Sequence, residues 1–276
     1  TYQANYFVST NTSEDLSLAR LHVTGTSSTS VSEGCVLNLT TDNTGSKLIL
    51  SVNDSPSLNK TTELILTGIN IKDSDLWTVS FGRKCSEVLG TILTGSIFLR
   101  ASQYNAGDLI QSHVTSAYFP ESADSVFSNI TGYNTSGSFI MIGSQSFENT
   151  SLFLNSSNND RKQTYFSGKV SDINFWSYAV SEDEFKSFSK NPNSVGTKNP
   201  LTNYNYNKIK TGSFERLRIQ TSNKQSTTGS SNLGSIKLFD LTKNDLHLNG
   251  YNFAANTDLT FNHYVIYEEL SPDFDL

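Results

Sequence analysis

The segment from Tyr165 to Phe188, YFSGKVSDINFWSYAVSEDEFKSF, constrains the fold more than any other part of the chain. In its first half, Ile173 and Phe175 alternate with polar neighbours, which is the period-two pattern of a β-strand with two different faces. In its second half, Ser181 is a suitable N-cap, and Glu184 stands three residues later, where it completes a capping box. The segment therefore predicts a strand followed by a short, capped helix.

The predicted helix is bounded on both sides. Val180 precedes the N-cap and Phe185 follows it at the spacing of a hydrophobic staple. Asn191 precedes Pro192, and a residue before proline is shifted toward extended geometry, so the helix has to end near this point. Most other apolar segments are short, alternate with polar residues and are separated by turn residues. This pattern predicts an all-β fold, a β-sandwich with one short helix.

The strand signals differ in strength along the chain. The segment LWTVSFGRK (76–84) has the clearest alternation, and the apolar positions of 35–39 and 48–52 flank turn residues, which predicts a hairpin. Residues 1–34 are polar and broken, with a first short strand expected at 18–23. Residues 102–137 are expected to be mostly loop.

The composition argues against several classes of partner. The chain has 20 Lys and Arg residues against 26 Asp and Glu residues, a formal net charge of -6. Because no basic cluster stands out either, we expect no nucleic-acid partner. No apolar run approaches membrane-spanning length, so we expect no membrane insertion. Ser, Thr and Asn dominate the polar positions, as in many secreted and viral shell or fibre proteins. We expect an extracellular or virion-surface location.

The two cysteines allow two interpretations. Cys35 and Cys85 permit one disulfide. Cys35 shares a predicted strand face with Leu37 and Leu39, which favours a buried free thiol instead. The pairing of these two residues stays open at this point.

The segment FSGKVSDINFWSYAVSEDEFKSF (166–188) resembles the closing strand and helix of laminin-G-like and pentraxin-like domains, which share the concanavalin A-like jelly roll. Residues 76–84 are similar to an early core strand of that family, and FIMIGS (139–144) to its central strand. The resemblance extends over roughly residues 16–190. The positions that fill the pattern of the closing segment are Phe166, Gly168, Val170, Ile173, Trp176, Val180, Ser181 and either Glu184 or Phe185.

The resemblance implies a division of the chain. Residues 1–192 are expected to form a laminin-G-like jelly-roll domain. Residues 193–208, which contain Gly, Pro and many Asn residues, are expected to be a linker. Residues 209–276 are expected to form a small C-terminal β module, or an extension packed on the first domain.

The sequence lacks the motif of the glycosidases that share the concanavalin A-like fold. Those enzymes resemble one another in a Glu-x-Asp-x-x-Glu strand, which places two carboxylates on one sheet face as acid and nucleophile. The chain has no such spacing, and its four histidines stand apart from one another. We therefore predict that the protein is not an enzyme and keep a glycoside hydrolase as a minor alternative.

Two groups of residues are candidates for binding. Laminin-G-like relatives often hold calcium in rim loops, which implies a calcium site at Asn158, Asn159 and Asp160; a polar hairpin tip explains the same residues. A sugar site needs aromatic side chains beside amides or carboxylates. Such a site could use Tyr104, Tyr118, Tyr133 and Asn134, although tyrosines that cover a sheet edge are the alternative.

These observations predict a non-enzymatic recognition or adhesion module that binds a glycan or a surface protein. The alternative is a structural protein of a shell, fibre or tail that contacts other subunits of an assembly. Binding of glycans by the monomer would favour the first function, and concentration-dependent assembly would favour the second.

Overall fold

The computed structural model describes residues 1–8, 15–24, 33–55, 60–88, 91–105, 107–120, 139–142, 166, 168–190, 217–221, 228–230, 235–241 and 246–250. Within these ranges the chain forms strands and one helix, α1 (Glu182–Lys190). The strands are β1 (Tyr2–Val8), β2 (Ser17–Thr24), β3 (Glu33–Thr41), β4 (Lys47–Ser55), β5 (Lys60–Thr67), β6 (Leu76–Val88), β7 (Thr91–Asn105), β8 (Asp108–Pro120), β9 (Phe139–Ile142), β10 (Gly168–Trp176), β11 (Leu217–Gln220), β12 (Thr228–Ser230), β13 (Ser235–Leu238) and β14 (Leu248–Gly250).

The strands form antiparallel sheets that pack as a sandwich. One sheet has six strands in the order β11-β10-β1-β6-β7-β8, and the other has five in the order β5-β4-β3-β2-β9. A smaller sheet has the order β12-β13-β14. The prediction of an all-β sandwich with one short helix is therefore confirmed. The concanavalin A-like jelly roll is a finer assignment and stays a prediction.

The main core lies between the six-stranded and five-stranded sheets. On β1 every second side chain faces inward, and the Tyr6 hydroxyl donates to the carbonyl oxygen of Leu18 on β2 at 3.1 Å. The Tyr2 and Tyr6 hydroxyl oxygens lie 2.6 Å apart, so the buried phenols satisfy each other. Inward-facing residues of the two sheets include Tyr2, Ala4, Tyr6, Val8, Leu18, Leu39, Leu48, Leu50, Leu64, Leu66, Trp77, Val79, Phe81, Leu99, Ala101 and Ile173.

The local signals of the 165–188 segment are confirmed. The Ser181 Oγ accepts from the Glu184 N–H at 3.2 Å, and the Ser181 N–H donates to Glu184 Oε2 at 2.7 Å. Val180 and Phe185 are buried in one apolar cluster, as the hydrophobic staple requires. The hairpin at 35–52 is also confirmed, because β3 pairs antiparallel with β4.

Several expectations about strands are wrong. Residues 2–8, expected to be broken, form β1 at an interior position of the six-stranded sheet. Much of 102–137, expected to be loop, belongs to the long β7–β8 hairpin, so Tyr104 and Tyr118 lie on strands. The strand at 139–142, expected to be central, is the last strand of the five-stranded sheet in the described part of the chain. In 2–8 and 102–120, polar side chains among the apolar ones obscure the alternation, whereas 139–142 is apolar throughout, so its sequence gives no sign of an edge position.

The C-terminal part of the chain contacts the sandwich. β11 extends the six-stranded sheet by pairing with β10, and Leu238 and Leu248 pack against the main core. The predicted linker, 193–208, lies outside the described residues. The domain division therefore stays a prediction. The helix that the structure describes is too short and too polar to cross a membrane.

Candidate functional site

The outer face of the six-stranded sheet, which points away from the five-stranded sheet, carries a row of polar side chains in register. Gln3 on β1 pairs with Asn174 on β10 and with Ser80 on β6. Asn174 pairs further with Gln220 on β11, and Ser80 pairs further with Arg100 on β7. Because directly paired residues share a face, these side chains form one line across five strands. We call Gln220, Asn174, Gln3, Ser80 and Arg100 the polar row.

Four of the five side chains of the polar row, all except Arg100, are enclosed rather than exposed to solvent. The relative exposure is 2% for Gln3, 0% for Ser80, 2% for Asn174 and 5% for Gln220. The outer face of an antiparallel sandwich is commonly solvated, and polar residues occur there for that reason. Here the polar side chains are as buried as the apolar core. Such groups need hydrogen-bond partners other than bulk water.

A second polar line runs beside the polar row. Asn5 pairs with Ser171 and with Thr78, and Thr78 pairs with Ser102. Asn5 Nδ2 donates to Asp172 Oδ2 at 3.1 Å, and the Thr78 hydroxyl donates to Asn5 Oδ1 at 2.7 Å. The Ser171 hydroxyl donates to the same Asp172 oxygen at 2.8 Å. Asn5 therefore joins a buried carboxylate to β6.

A bulge in β10 aims that carboxylate. The register between β1 and β10 shifts between Gln3 and Asn5, and Asp172 has a φ of 49°. Aspartate tolerates this left-handed conformation better than most residues. A bulge of this kind redirects a side chain without ending the strand pairing. As a result Ser171 and Asp172 both present their oxygen atoms to Asn5 on the outer face.

An aromatic cluster borders the polar rows where α1 packs on the sheet. Trp176 stacks on Phe188 with ring centroids 5.3 Å apart and an interplanar angle of 8°. Phe185 and Leu217 complete the cluster together with Val180. The face therefore offers neutral hydrogen-bonding groups next to flat apolar rings.

Arg100 connects the polar row to this cluster. Its Nη1 donates to the carbonyl oxygens of Val180 at 2.8 Å and Ser181 at 3.1 Å. Its guanidinium carbon lies 4.0 Å from the centroid of the Phe98 ring, in cation–π contact. Burial lowers the pKa of Arg100, and the negative charge of Glu182 opposes that shift. Arg100 thus anchors the start of α1 on the sheet.

The structure does not bring the predicted sugar-binding tyrosines together. The Tyr104 hydroxyl donates to the carbonyl oxygen of Lys186 at 3.0 Å, so Tyr104 contacts α1. Tyr104 pairs with Leu109 and Tyr118 pairs with Ser96, positions at opposite ends of the β7–β8 hairpin. At a rise of about 3.3 Å per residue the two tyrosines are separated by roughly 26 Å along β7, too far for one platform.

The remaining predicted site residues cannot be placed. The side chain of Tyr118 lies outside the description, as do the residues Tyr133, Asn134, Asn158, Asn159 and Asp160. In the described part of the chain, no three His, Cys, Asp or Glu side chains are close enough to hold a metal ion. The calcium site therefore stays a prediction. The side chains of Cys35 and Cys85 are not described either, so their pairing stays open.

Sequence reasoning missed the residues of the polar row. The available signal was the presence of long amides at alternating strand positions, as in YQANYFV and SDINFW. Asparagine is depleted in strands, so its recurrence there indicates a role other than covering a solvated face. The sequence matches no protein-family model, and it matches no curated protein.

Proposed function

We propose that the protein is a non-enzymatic recognition module that binds glycans. The observation that carries this proposal is the sandwich of two antiparallel sheets with one short, capped helix, the architecture that the resemblance to laminin-G-like domains implies. A sugar presents hydroxyl groups at its edges and apolar C–H groups on its faces. Amides and hydroxyls, which the Ser-, Thr- and Asn-rich sequence supplies, suit the former, and aromatic rings suit the latter.

The charge of the face also supports recognition rather than hydrolysis. Asp172 is the one carboxylate within the two polar lines. A glycosidase of the usual kind needs two carboxyl groups on opposite sides of the scissile bond. The Asp172 carboxylate accepts hydrogen bonds from Asn5 and Ser171, which hold it in place.

The composition of the chain and its resemblance to laminin-G-like domains suggest where the module acts and what it binds. A Ser-, Thr- and Asn-rich chain with few charges suits the surface of a cell or a virion. Similarity to laminin-G-like domains suggests that calcium could bind at Asn158, Asn159 and Asp160, and that a surface protein could be the partner. Chelator treatment during the binding assay tests the calcium part. A loss of glycan binding that calcium restores would support it.

A glycan array with the full chain tests the main proposal. We expect binding to a restricted set of glycans. If the wild-type protein binds no glycan, the proposal is wrong.

A structural role in an assembly is the second candidate, and β8 is the observation that favours it. β8 is the last strand of the six-stranded sheet in the described part of the chain. Its Leu109, Ile110 and Val114 side chains are 46%, 56% and 51% exposed. A long, apolar edge strand can pair with a strand of another copy. Sedimentation over a range of protein concentrations tests this role, which requires association that Val114→Lys abolishes.

A further inference from the structure

β8 ends the six-stranded sheet with an edge that has few of the features that usually prevent pairing. The segment Asp108–Pro120 contains no Lys or Arg, and its proline is the last residue. Ile110 and Val114 are apolar, yet they are 56% and 51% exposed. Folded proteins usually protect an edge strand with lysines, prolines, inward-pointing charges or a covering segment. A long edge with so little protection favours pairing with a strand of another chain.

The opposite end of the same sheet shows a covered edge. β11 is the last strand there in the described part of the chain. Its Gln220 N–H donates to Asp240 Oδ1 at 3.0 Å, and the Gln220 carbonyl oxygen accepts from the Leu241 N–H at 2.8 Å. The chain itself therefore bonds the backbone of β11. Among the described residues no corresponding segment lies along β8, which pairs with β7.

The side chains of β8 alternate between the core and the outer face of the sheet. Gln111 Nε2 donates to Gln103 Oε1 at 2.6 Å, and the centroid of the His113 ring lies 6.5 Å from that of the buried Trp77 ring. Because these two side chains of β8 point inward, the even-numbered residues of 110–116 point outward. All of these outward residues are exposed to solvent. The outer side of β8 is therefore accessible along this stretch.

The sequence of β8 is nearly a palindrome about Val114. Ser112 and Ser116 stand two positions away on either side, and Ile110 and Tyr118 stand four positions away. An interface about a two-fold axis uses the same patch on both copies, so that patch has to be complementary to itself. Antiparallel pairing of two β8 strands about Val114 meets this condition. Valine then faces valine, serine faces serine, and isoleucine faces tyrosine.

Two local features place the centre of the pairing near Val114. The register between β7 and β8 shifts between Gln103 and Tyr104, so Ile110 is the extra residue of a bulge. At the other end Pro120 lacks the N–H that a paired strand would donate. The regular part of β8 lies between these two points. It contains no Asp, Glu, Lys or Arg, so no like charges oppose each other across the axis.

We propose that two copies of the chain pair through β8, antiparallel and centred on Val114, and join their six-stranded sheets into one. This inference refines the assembly role given above as the second candidate, and it does not depend on glycan binding. Residues 110–118 of each copy form the contact, which is about 30 Å long at about 3.3 Å per residue. Pairs of aromatic and β-branched residues, such as the one between positions 110 and 118, stabilise antiparallel sheets.

Cysteine substitution in the full chain tests the register. In Val114→Cys the two introduced thiols lie at the axis with Cβ atoms about 5 Å apart, so mild oxidation should link two copies. Ser116→Cys is the matched control, because the same position of the second copy is about 13 Å away along the strand, too far for a disulfide. A mixture of Ser112→Cys and Ser116→Cys should link one chain of each kind. Mass spectrometry identifies the linked peptides, and equal linking of Val114→Cys and Ser116→Cys would overturn the register.

Sedimentation velocity over a range of protein concentrations tests the association itself. We expect the wild type to form a dimer, and Val114→Lys to weaken it roughly tenfold or more, because two lysines would meet at the axis. Ile65→Lys is the matched control. Ile65 is 44% exposed on β5, which belongs to the other sheet, so this variant should dimerise like the wild type.

The ways in which this proposal can fail are distinguishable. If the wild type stays monomeric at every concentration, both the pairing and the assembly role are wrong, and the glycan array still decides the main proposal. If Val114→Lys dimerises as well as the wild type, the pairing is wrong and the copies associate through another surface. Hydrogen exchange of the wild type covers the case in which a variant fails to fold. Protection of residues 110–118 should rise with concentration, and a constant exchange rate there would overturn the pairing.

Discussion

Replacing Asn5 with leucine tests whether the second polar line stabilises the six-stranded sheet. The substitution removes two hydrogen bonds, from Asn5 Nδ2 to Asp172 Oδ2 at 3.1 Å and from the Thr78 hydroxyl to Asn5 Oδ1 at 2.7 Å. A hydrogen bond to a carboxylate contributes about 2 kcal/mol, and a buried hydroxyl that loses its acceptor costs about 1 kcal/mol. We therefore expect Asn5→Leu to lower the free energy of unfolding by about 3 kcal/mol.

Urea denaturation followed by tryptophan fluorescence measures this loss, because Trp77 and Trp176 are both buried in the folded protein. Thr78→Val serves as the second variant of a double-mutant cycle. The cycle should give a coupling of about 1 kcal/mol between Asn5 and Thr78, since the two side chains share a bond. A loss below about 1 kcal/mol for Asn5→Leu, or additive effects in the cycle, would refute this account of the buried network.

Three further tests probe the helix cap, the buried phenols and the start of β10. Ser181→Ala removes the cap of α1 and should lower the free energy of unfolding by about 1 kcal/mol, whereas Ser181→Gly should cost a few tenths; equal losses in chemical denaturation would contradict this. Burial raises the pKa values of Tyr2 and Tyr6 above the ordinary 10, so the folded state holds these protons more tightly than the unfolded chain does. The free energy of unfolding should therefore be unaffected below about pH 10 and fall as the pH rises above it. A thermal unfolding midpoint that stays constant above about pH 10 would disprove this. Gly168→Ala should cost about 3 kcal/mol, because φ is 153° and a Cβ would overlap the carbonyl oxygen of Phe7; a melting temperature unchanged from the wild type would argue against that overlap.

The parts of the fold that depend on neighbouring residues could be predicted from the sequence. The cap of α1 needs only Ser181 and Glu184, which are three residues apart, and the structure shows both of its hydrogen bonds. The alternation at 76–84 likewise predicts a strand, because its buried and polar positions are set by the pleat of β6 itself. Such local agreement between pattern and structure requires no knowledge of partners.

The parts that depend on distant pairing could not be predicted. The sequence of β1 predicts a strand only weakly, because Gln3 and Asn5 are polar. In the structure both side chains face outward and are nevertheless buried. The polar row exists only when strands from across the chain align, so no single segment contains it. The candidate tyrosines lie in a stretch that the sequence predicts to be loop. The described part of that stretch, up to residue 120, belongs to β7 and β8, which separate Tyr104 from Tyr118.

The interior position of β1 has a consequence for how the protein is made. β1 pairs with β6 on one edge and with β10 on the other. The hydrogen bond between Asn5 and Asp172 joins residues that are 167 positions apart in the sequence. Closing so long a loop is entropically costly, and contacts of this separation slow folding. During synthesis the open edge of β1 can pair with other chains before β10 emerges from the ribosome. The outer face of the six-stranded sheet is therefore among the last parts of the protein to form.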